Sequence, residues 1–435
     1  MELCAQEIGR ATGGRLVGPD TLVDGVAIDS RRVTGGELFV PIVAARDGHD
    51  FVAAAVAAGA AAYLTSRPVG QRPGGATAVE VPDTLAALSD LGRAARHRLP
   101  DRVVGVTGSV GKTSVKDLLA AALAARWETT ASEGSFNNEL GVPLTLLNAP
   151  AEAEAVVVEM GARGAGHIAA LCAIARPTVG VVTRVATVHT ETFGSLDDVA
   201  KAKGELVEAL PASGAAVLNA ADPRVAAMAD RTAARVLTFG EGGEVRAERV
   251  RIDDDLRPSF RMVTPWGAAE VALAVRGAHM VDNALGAAAA ALVCDVPLDG
   301  VAGGLDRAGL SRWRMEMTTL PSGARLLNDA YNANPASMAA ALRALAALDA
   351  ERRVAVLGLM AEMGASGDAE HRAVGDLAAD LGIEVVSVGI PAYGGEVVAD
   401  LAAAAAALGD LGPGDAVLLK GSRVVGLERL VGLLH

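Results

Sequence analysis

The run Gly105-Val106-Thr107-Gly108-Ser109-Val110-Gly111-Lys112-Thr113-Ser114 contains the residue types that wrap a polyphosphate. Glycines let a backbone close around oxygens, and a helix starting at such a loop offers free N–H donors and the positive end of its dipole. In that chemistry Thr107, Gly108, Ser109, Val110, Gly111 and Ser114 surround the phosphates, Lys112 reaches the β- and γ-phosphates, and the Thr113 hydroxyl ligates Mg²⁺. The usual spacing is missed by one place, because Val106 stands where the first glycine would fall and Gly105 precedes it. A glycine-rich strand-to-helix turn without a ligand is the alternative. The apolar strand before the loop and the helical run 114–125 after it favour ATP or a similar nucleotide.

Three more residues have metal-ligand chemistry. Glu159 closes the apolar run 156–158, and doubly wound sheets place ligands at strand ends of this kind. His189 follows the apolar run 179–182, and Lys203 lies on a helical stretch. Taken singly, a solvated strand end, a structural histidine and a surface lysine explain them as well. The chain has five lysines (Lys112, Lys116, Lys201, Lys203 and Lys420) among its 39 basic residues. An arginine-favouring coding bias accounts for that count, and positions that stay lysine under it are those that need an amine.

These residues need a frame. Apolar runs at 103–106, 155–158, 179–182, 216–218 and 236–239, separated by helical segments, predict a parallel sheet covered on both faces. Residues 1–98 read as a small mixed α/β domain, with β-type runs at 22–28, 37–42 and 77–81, helices at 51–58 and 84–98, and a linker at 99–101. Residues 241–276 look antiparallel and 277–292 helical; after Trp313 a second alternation has apolar runs at 324–327, 354–357, 385–388 and 416–419. The expectation is an α/β protein of three domains. These are a small mixed N-terminal domain (1–98), a central P-loop-type domain on a mostly parallel sheet (99–312) and a Rossmann-like, doubly wound C-terminal domain (313–435).

Composition narrows the partners. A formal charge of −13 and 3% aromatic residues argue against a nucleic-acid backbone as ligand. Cys4, Cys172 and Cys294 show no metal or redox spacing, the N-terminus has no secretory signal, and no apolar run is long enough to span a bilayer. The expected location is the cytoplasm.

Together and in order, the motifs resemble those of the Mur ligases over nearly the whole chain. The carriers are Asp29-Ser30-Arg31, Gly36-Glu37-Leu38-Phe39-Val40, Asp47-Gly48-His49-Asp50-Phe51, Ser135-Phe136-Asn137-Asn138-Glu139, Gly141-Val142-Pro143-Leu144-Thr145 and Glu159-Met160-Gly161. Further along come Phe193-Gly194-Ser195, Lys203-Gly204-Glu205-Leu206, Gly277-Ala278-His279, Asn283-Ala284-Leu285 and Arg314-Met315-Glu316. The C-terminal set is Asn328-Asp329-Ala330-Tyr331-Asn332-Ala333-Asn334-Pro335, Gly364 with His371, and Lys420-Gly421-Ser422-Arg423.

The resemblance implies an ATP-dependent amide ligase of peptidoglycan precursor synthesis. The γ-phosphoryl of ATP activates a carboxylate as an acyl phosphate, an amine attacks, and ADP and phosphate are released. The C-terminal tract implies D-alanyl-D-alanine as the amine and a UDP-linked muramyl tripeptide as the carboxylate. Two Mg²⁺ sites are implied, with Thr113 and Glu159 at one and His189 at the other, and Lys203 is implied to be an N-carbamate metal ligand. By the same matching, Lys112, Lys203, His189 and Arg314 are the catalytic set. Asn283 meets the adenine, Arg314 the γ-phosphate, and Asp329 the ribose or the surroundings of the amine. Ser30, Arg31, Asp47, Gly48, His49, Asn137, Asn138, Asn332 and Asn334 contact substrate. A polar turn, a helix-buried asparagine or an interdomain salt bridge is the plain alternative for several of these. The family picture is a monomer that closes over ATP about a hinge near residue 312. Arg184, Ala186, Ala221, Met280 and Leu359 depart from the pattern. A paralogue joining a different amine and carboxylate is therefore the second reading.

Overall fold

The structure is a computed structural model that describes residues 1–186, 193–361 and 363–434. Three large sheets follow one another along the chain. The first is ordered Arg15–Val17, Thr77–Glu80, Ala62–Thr65, Leu38–Phe39 and Val26–Ala27, parallel apart from the pairing of Arg15–Val17. The expected run 22–28 is split into Leu22–Asp24 and Val26–Ala27. Gly25 makes the break, at φ 82°, a conformation that costs a residue with a Cβ.

The central sheet is ordered Arg235–Phe239, Ala215–Asn219, Val179–Val182, Val103–Thr107, Ala155–Glu159 and Thr129–Ala131, and every pairing in it is parallel. Strands that pair only through crossovers are covered on both faces, which is why the sequence shows continuous apolar runs here. The strands Arg246–Ile252, Pro258–Thr264 and Gly267–Ala272 form the expected antiparallel unit. The last sheet is ordered Glu316–Thr319, Arg325–Asn328, Asp415–Lys420, Arg352–Leu357, Glu384–Val388 and Glu396–Val398, with Glu316–Thr319 as its one antiparallel edge strand.

The first and central sheets share an apolar core. Ile8, Leu38, Leu64, Leu88 and Leu91 lie in the same buried cluster as Val142, Leu146, Val156 and Ile168. Polar clamps fix the joint. Asn148 accepts from the Val26 N–H at 2.7 Å and donates to the Val26 carbonyl at 3.0 Å, and the buried Arg96 donates to the Ala175 carbonyl at 2.7 Å. A second cluster joins Leu118, Ala288 and Leu292 to Met315, Leu327 and Met338, so apolar packing also crosses the linker near residue 312. The three cysteines are free. Burial pushes the Cys172 and Cys294 thiols up to about 12, which leaves them as inert packing groups. Among the described residues no helix is long and apolar enough to cross a membrane.

Candidate active site

The chain leaves the strand Val103–Thr107, turns through Gly108 to Gly111 and enters the helix Lys112–Leu123. The turn is braced from below. Ser109 N–H donates to the Arg184 carbonyl at 2.7 Å, Thr183 Oγ1 to the Val110 carbonyl at 2.6 Å, and Ser109 Oγ to the Ala186 carbonyl at 3.0 Å. Thr107 is fully buried and its hydroxyl donates to the Met160 carbonyl at 2.8 Å, so it holds the strand end rather than facing the cleft. Gly108 has φ 145°, and a Cβ there would lie 1.9 Å from Thr183 Oγ1. The loop opens on a cavity of about 690 Å³ lined by residues of both the central and the last sheets' domains.

Glu159 ends its strand fully buried. One carboxylate oxygen accepts from Asn137 Nδ2 at 2.8 Å, while Oε2 is buried without a hydrogen-bond partner. A buried anionic oxygen left unpaired is costly, and a cation beside it removes the cost. Lys203 is buried on the helix Leu196–Glu208. Gly105 and Gly180 let that helix sit close on the sheet, since a Cβ at either would meet Leu206 at 2.9 and 3.1 Å. Burial, followed by the Lys112 charge, pushes the Lys203 amine down to about 7, with Glu205 opposing.

Arg314 enters from beyond the linker and donates through Nη2 to Thr113 Oγ1 at 2.8 Å and Ser135 Oγ at 3.0 Å, and its guanidinium lies 4.5 Å from the Tyr331 ring centroid. Lys112 Nζ donates to the Gly108 carbonyl at 2.8 Å. Asn283 faces the loop closely enough that a Cβ on Gly111 would lie 2.5 Å from its Oδ1. Asp329 accepts from Met315 N–H at 3.1 Å and pairs with the buried Lys420 at 2.5 Å. Burial pushes the pKa of His279 down; Asp329 opposes this and Lys420 adds to it.

Gly108 to Ser114, Asn137, Asn138, Glu159, Lys203, Asn283, Arg314, Asp329, Asn332 and Asn334 all line this one cavity. Several have backbone duties as well. Asn138 accepts from Leu140 and Gly141 N–H, and Asn334 caps the helix Pro335–Ala347. Asn332 accepts from Ala333 N–H at 2.9 Å. Ser30, Arg31, Asp47, Gly48 and His49 do not line it. Arg31 pairs with Asp29 at 2.6 Å, and the buried His49 bridges Asp47 (2.6 Å) and Ser66 N–H (3.0 Å). His189 lies outside the described residues. His371, with no role assigned, accepts from Met360 N–H at 3.0 Å and packs edge-on against Tyr393.

Sequence reasoning gave no role to Lys116, Ser135, Tyr331 or Lys420. For the lysines a signal existed: Lys116, Lys203 and Lys420 are buried, while Lys201 has a 75% exposed side chain. Of the departures, Arg184 is exposed and lines the cavity, and Met280 is buried beside Asn283, whose amide donates to its sulfur at 3.4 Å.

A phosphate loop facing an acidic strand end, a buried lysine and an arginine delivered across a linker define a nucleotide-dependent ligase, and the chain belongs to the Mur ligase family. Its middle-domain model matches residues 106–291, its glutamate ligase domain 313–423 and its catalytic domain 22–96. The chain is 42% identical to the UDP-N-acetylmuramoyl-tripeptide–D-alanyl-D-alanine ligase of Mycobacterium tuberculosis, covering 100% of this chain and 98% of that protein. To the enzyme of the same name from Escherichia coli it is 37% identical over 97% and 96%. In three dimensions it is similar to MurF from Acinetobacter baumannii (TM-score 0.90, 30% identical, covering 100% and 99%). It is also similar to MurF ligase from Thermotoga maritima in complex with ADP (TM-score 0.82, 26% identical, covering 95% and 97%).

Proposed function

We propose that this chain joins D-alanyl-D-alanine to UDP-N-acetylmuramoyl-tripeptide at the expense of ATP, forming an amide, ADP and phosphate. The observation that carries this reading is the convergence of Lys112, Thr113, Glu159, Lys203, Asn283 and Arg314 on one cavity. Residues 1–98 take the uridine diphosphate end through Ser30 and Arg31. Residues 99–312 hold ATP, and residues 313–435 close over it and receive the dipeptide near Asp329, Asn332 and Asn334.

The substrate carboxylate attacks the γ-phosphorus and ADP departs. The amine then attacks the acyl carbonyl, loses a proton, and the tetrahedral intermediate expels phosphate. Such transfers depend on position and charge neutralisation. The loop amides and the helix N-terminus orient the phosphates, Lys112 neutralises the β- and γ-oxygens, and Arg314 the transferred group. Asn283 offers the adenine edge both a donor and an acceptor. The residues present fit Mg²⁺: the unpaired Glu159 Oε2 and the Thr113 hydroxyl supply oxygen ligands, and a carbamate on Lys203 supplies more. His189 is assigned to the second ion by its place in the family's pattern. When bound, Mg²⁺ neutralises phosphate charge and lowers the barrier to displacement. The expected site of action is the cytoplasm, as a monomer.

The test is an incubation with ATP, Mg²⁺, UDP-N-acetylmuramoyl-tripeptide and D-alanyl-D-alanine, following ADP and product mass with each component omitted in turn. The expected result is ADP release that requires both substrates, with a pentapeptide product. ADP release only with another amine or carboxylate would move the assignment to a paralogue and make Arg184 and Leu359 the first residues to revert. Gly108→Ala should lose nucleotide binding by about 100-fold or more in calorimetry while the fold melts cooperatively. The added Cβ displaces Thr183 and forces φ 145° on a residue that avoids it.

A further inference from the structure

We propose that Ser135 is a working group of the reacting centre: it accepts the Thr113 hydroxyl proton and offers its own to the terminal phosphate of the nucleotide, and Lys116 positions it. This rests on the nucleotide reading above. A hydroxyl has one proton and two acceptor sites, and a guanidinium can only donate. Arg314 Nη2 donates to both Thr113 Oγ1 (2.8 Å) and Ser135 Oγ (3.0 Å), so each hydroxyl has one acceptor site filled.

The two oxygens lie 2.9 Å apart, close enough to share one proton. Were Ser135 the donor, both acceptor sites of Thr113 would be filled and none would remain for a metal. With Thr113 as donor, one Thr113 lone pair stays open and both Ser135 acceptor sites are filled. The Ser135 proton then remains, on a side chain that lines the cavity. Thr113 can therefore serve as a metal ligand only in the arrangement that turns Ser135 into a donor, and the natural acceptor beside Arg314 is an anionic phosphate oxygen.

Ser135 lies in a turn rather than on a helix or strand, so something must set its place. Lys116, buried on the same helix as Thr113, donates to the Ser132 carbonyl at 2.7 Å and the Gly134 carbonyl at 2.9 Å. The rigid helix thereby fixes the spacing of the two hydroxyls. Asp117 balances the charge, with Oδ1 2.8 Å from the amine, and its Oδ2 accepts from Ser311 N–H at 2.7 Å. The linker that delivers Arg314 is thus tied to the same pair. The arrangement needs an amine at 116, and this chain keeps only five.

The test measures, by calorimetry on the full chain, binding of β,γ-methylene-ATP with excess Mg²⁺ and of ADP in EDTA. For Ser135→Ala the analogue should weaken about tenfold, while ADP in EDTA, with no metal and no third phosphate, binds as in the wild type. Unchanged analogue affinity overturns the inference, and so does an equal loss in both titrations, which would mark a structural role. Lys116→Met should give the same pattern, and the double variant should be no weaker than Ser135→Ala by more than about twofold. Additive losses would remove Lys116 from the assignment, and if Lys116→Met fails to fold, Ser135→Ala decides alone. Absence of Mg²⁺-dependent analogue binding in the wild type would instead overturn the nucleotide reading itself.

Discussion

Lys203→Ala is expected to lower the rate of substrate-dependent ADP release by about 10³-fold, and formate or acetate should restore part of it. Carbon dioxide adds to a neutral amine, giving a carbamate anion and a proton. An ordinary exposed lysine is almost wholly protonated at neutral pH. Lys203 is buried against the sheet through its helix, and burial together with the Lys112 charge brings it down to about 7, so about half of it is neutral there. The same positive surroundings that repel an ammonium attract the carbamate that replaces it. Alanine removes that anion and leaves space for a small carboxylate. Because forming the carbamate from the ammonium releases two protons, the dissolved carbon dioxide needed for half-maximal activity should rise, as the pH falls, about tenfold per pH unit above 7 and about a hundredfold per unit well below it. Inactivity without rescue at any carboxylate concentration would sink the assignment.

Arg314→Ala should lower kcat by about 10³-fold while changing the Kd for ADP by less than about tenfold. Arg314 stands between Trp313 and Met315, whose φ values of 59° and 50° place both in the left-handed region. That conformation costs roughly 1–2 kcal/mol for each residue with a side chain, and the surrounding contacts hold it. Met315 N–H is held by Asp329, and the guanidinium lies against Tyr331. Backbone strain of this kind is retained where a side chain must be aimed. With Nη2 held on two neutral hydroxyls, the rest of the guanidinium charge is left to meet a phosphoryl group gaining charge, a stronger acceptor than either hydroxyl. Arg314→Lys keeps the charge without the fork and should fall between the two. Single-turnover ADP formation beside an ADP titration measures both quantities, and a kcat within tenfold of the wild type would exclude Arg314 from the transfer step.

Much of the frame was legible because its signals are local. The phosphate loop is a contiguous stretch whose glycines and following helix are written in order. Elements missed from the sequence include the buried interior strand Ala62–Thr65 and four short edge strands, Arg15–Val17, Thr129–Ala131, Glu316–Thr319 and Glu396–Val398. Three or four residues leave no clear period, and partners elsewhere in the chain decide whether they pair. Asparagine and aspartate were the hardest to read, because the oxygen that would bind a substrate caps a helix equally well. Asn334 caps a helix in the cavity wall, Asn138 holds the Leu140 and Gly141 N–H groups at the start of another, and Asp47 with His49 braces its own turn.

Short-range spacing and residue order were enough to read the nucleotide loop, the three successive α/β sheets and membership of the ligase family. Tertiary structure decided which groups meet. Thr113 and Arg314 touch across 201 positions and Ser135 and Arg314 across 179, and the Lys420 amine reaches Asp329 across 91. Only packing sets such contacts. The buried Lys203 amine and the unpaired Glu159 oxygen likewise acquire their chemistry from what surrounds them. Removal from water moves a lysine toward neutrality and leaves a carboxylate needing a cation, and no local stretch of sequence carries either fact.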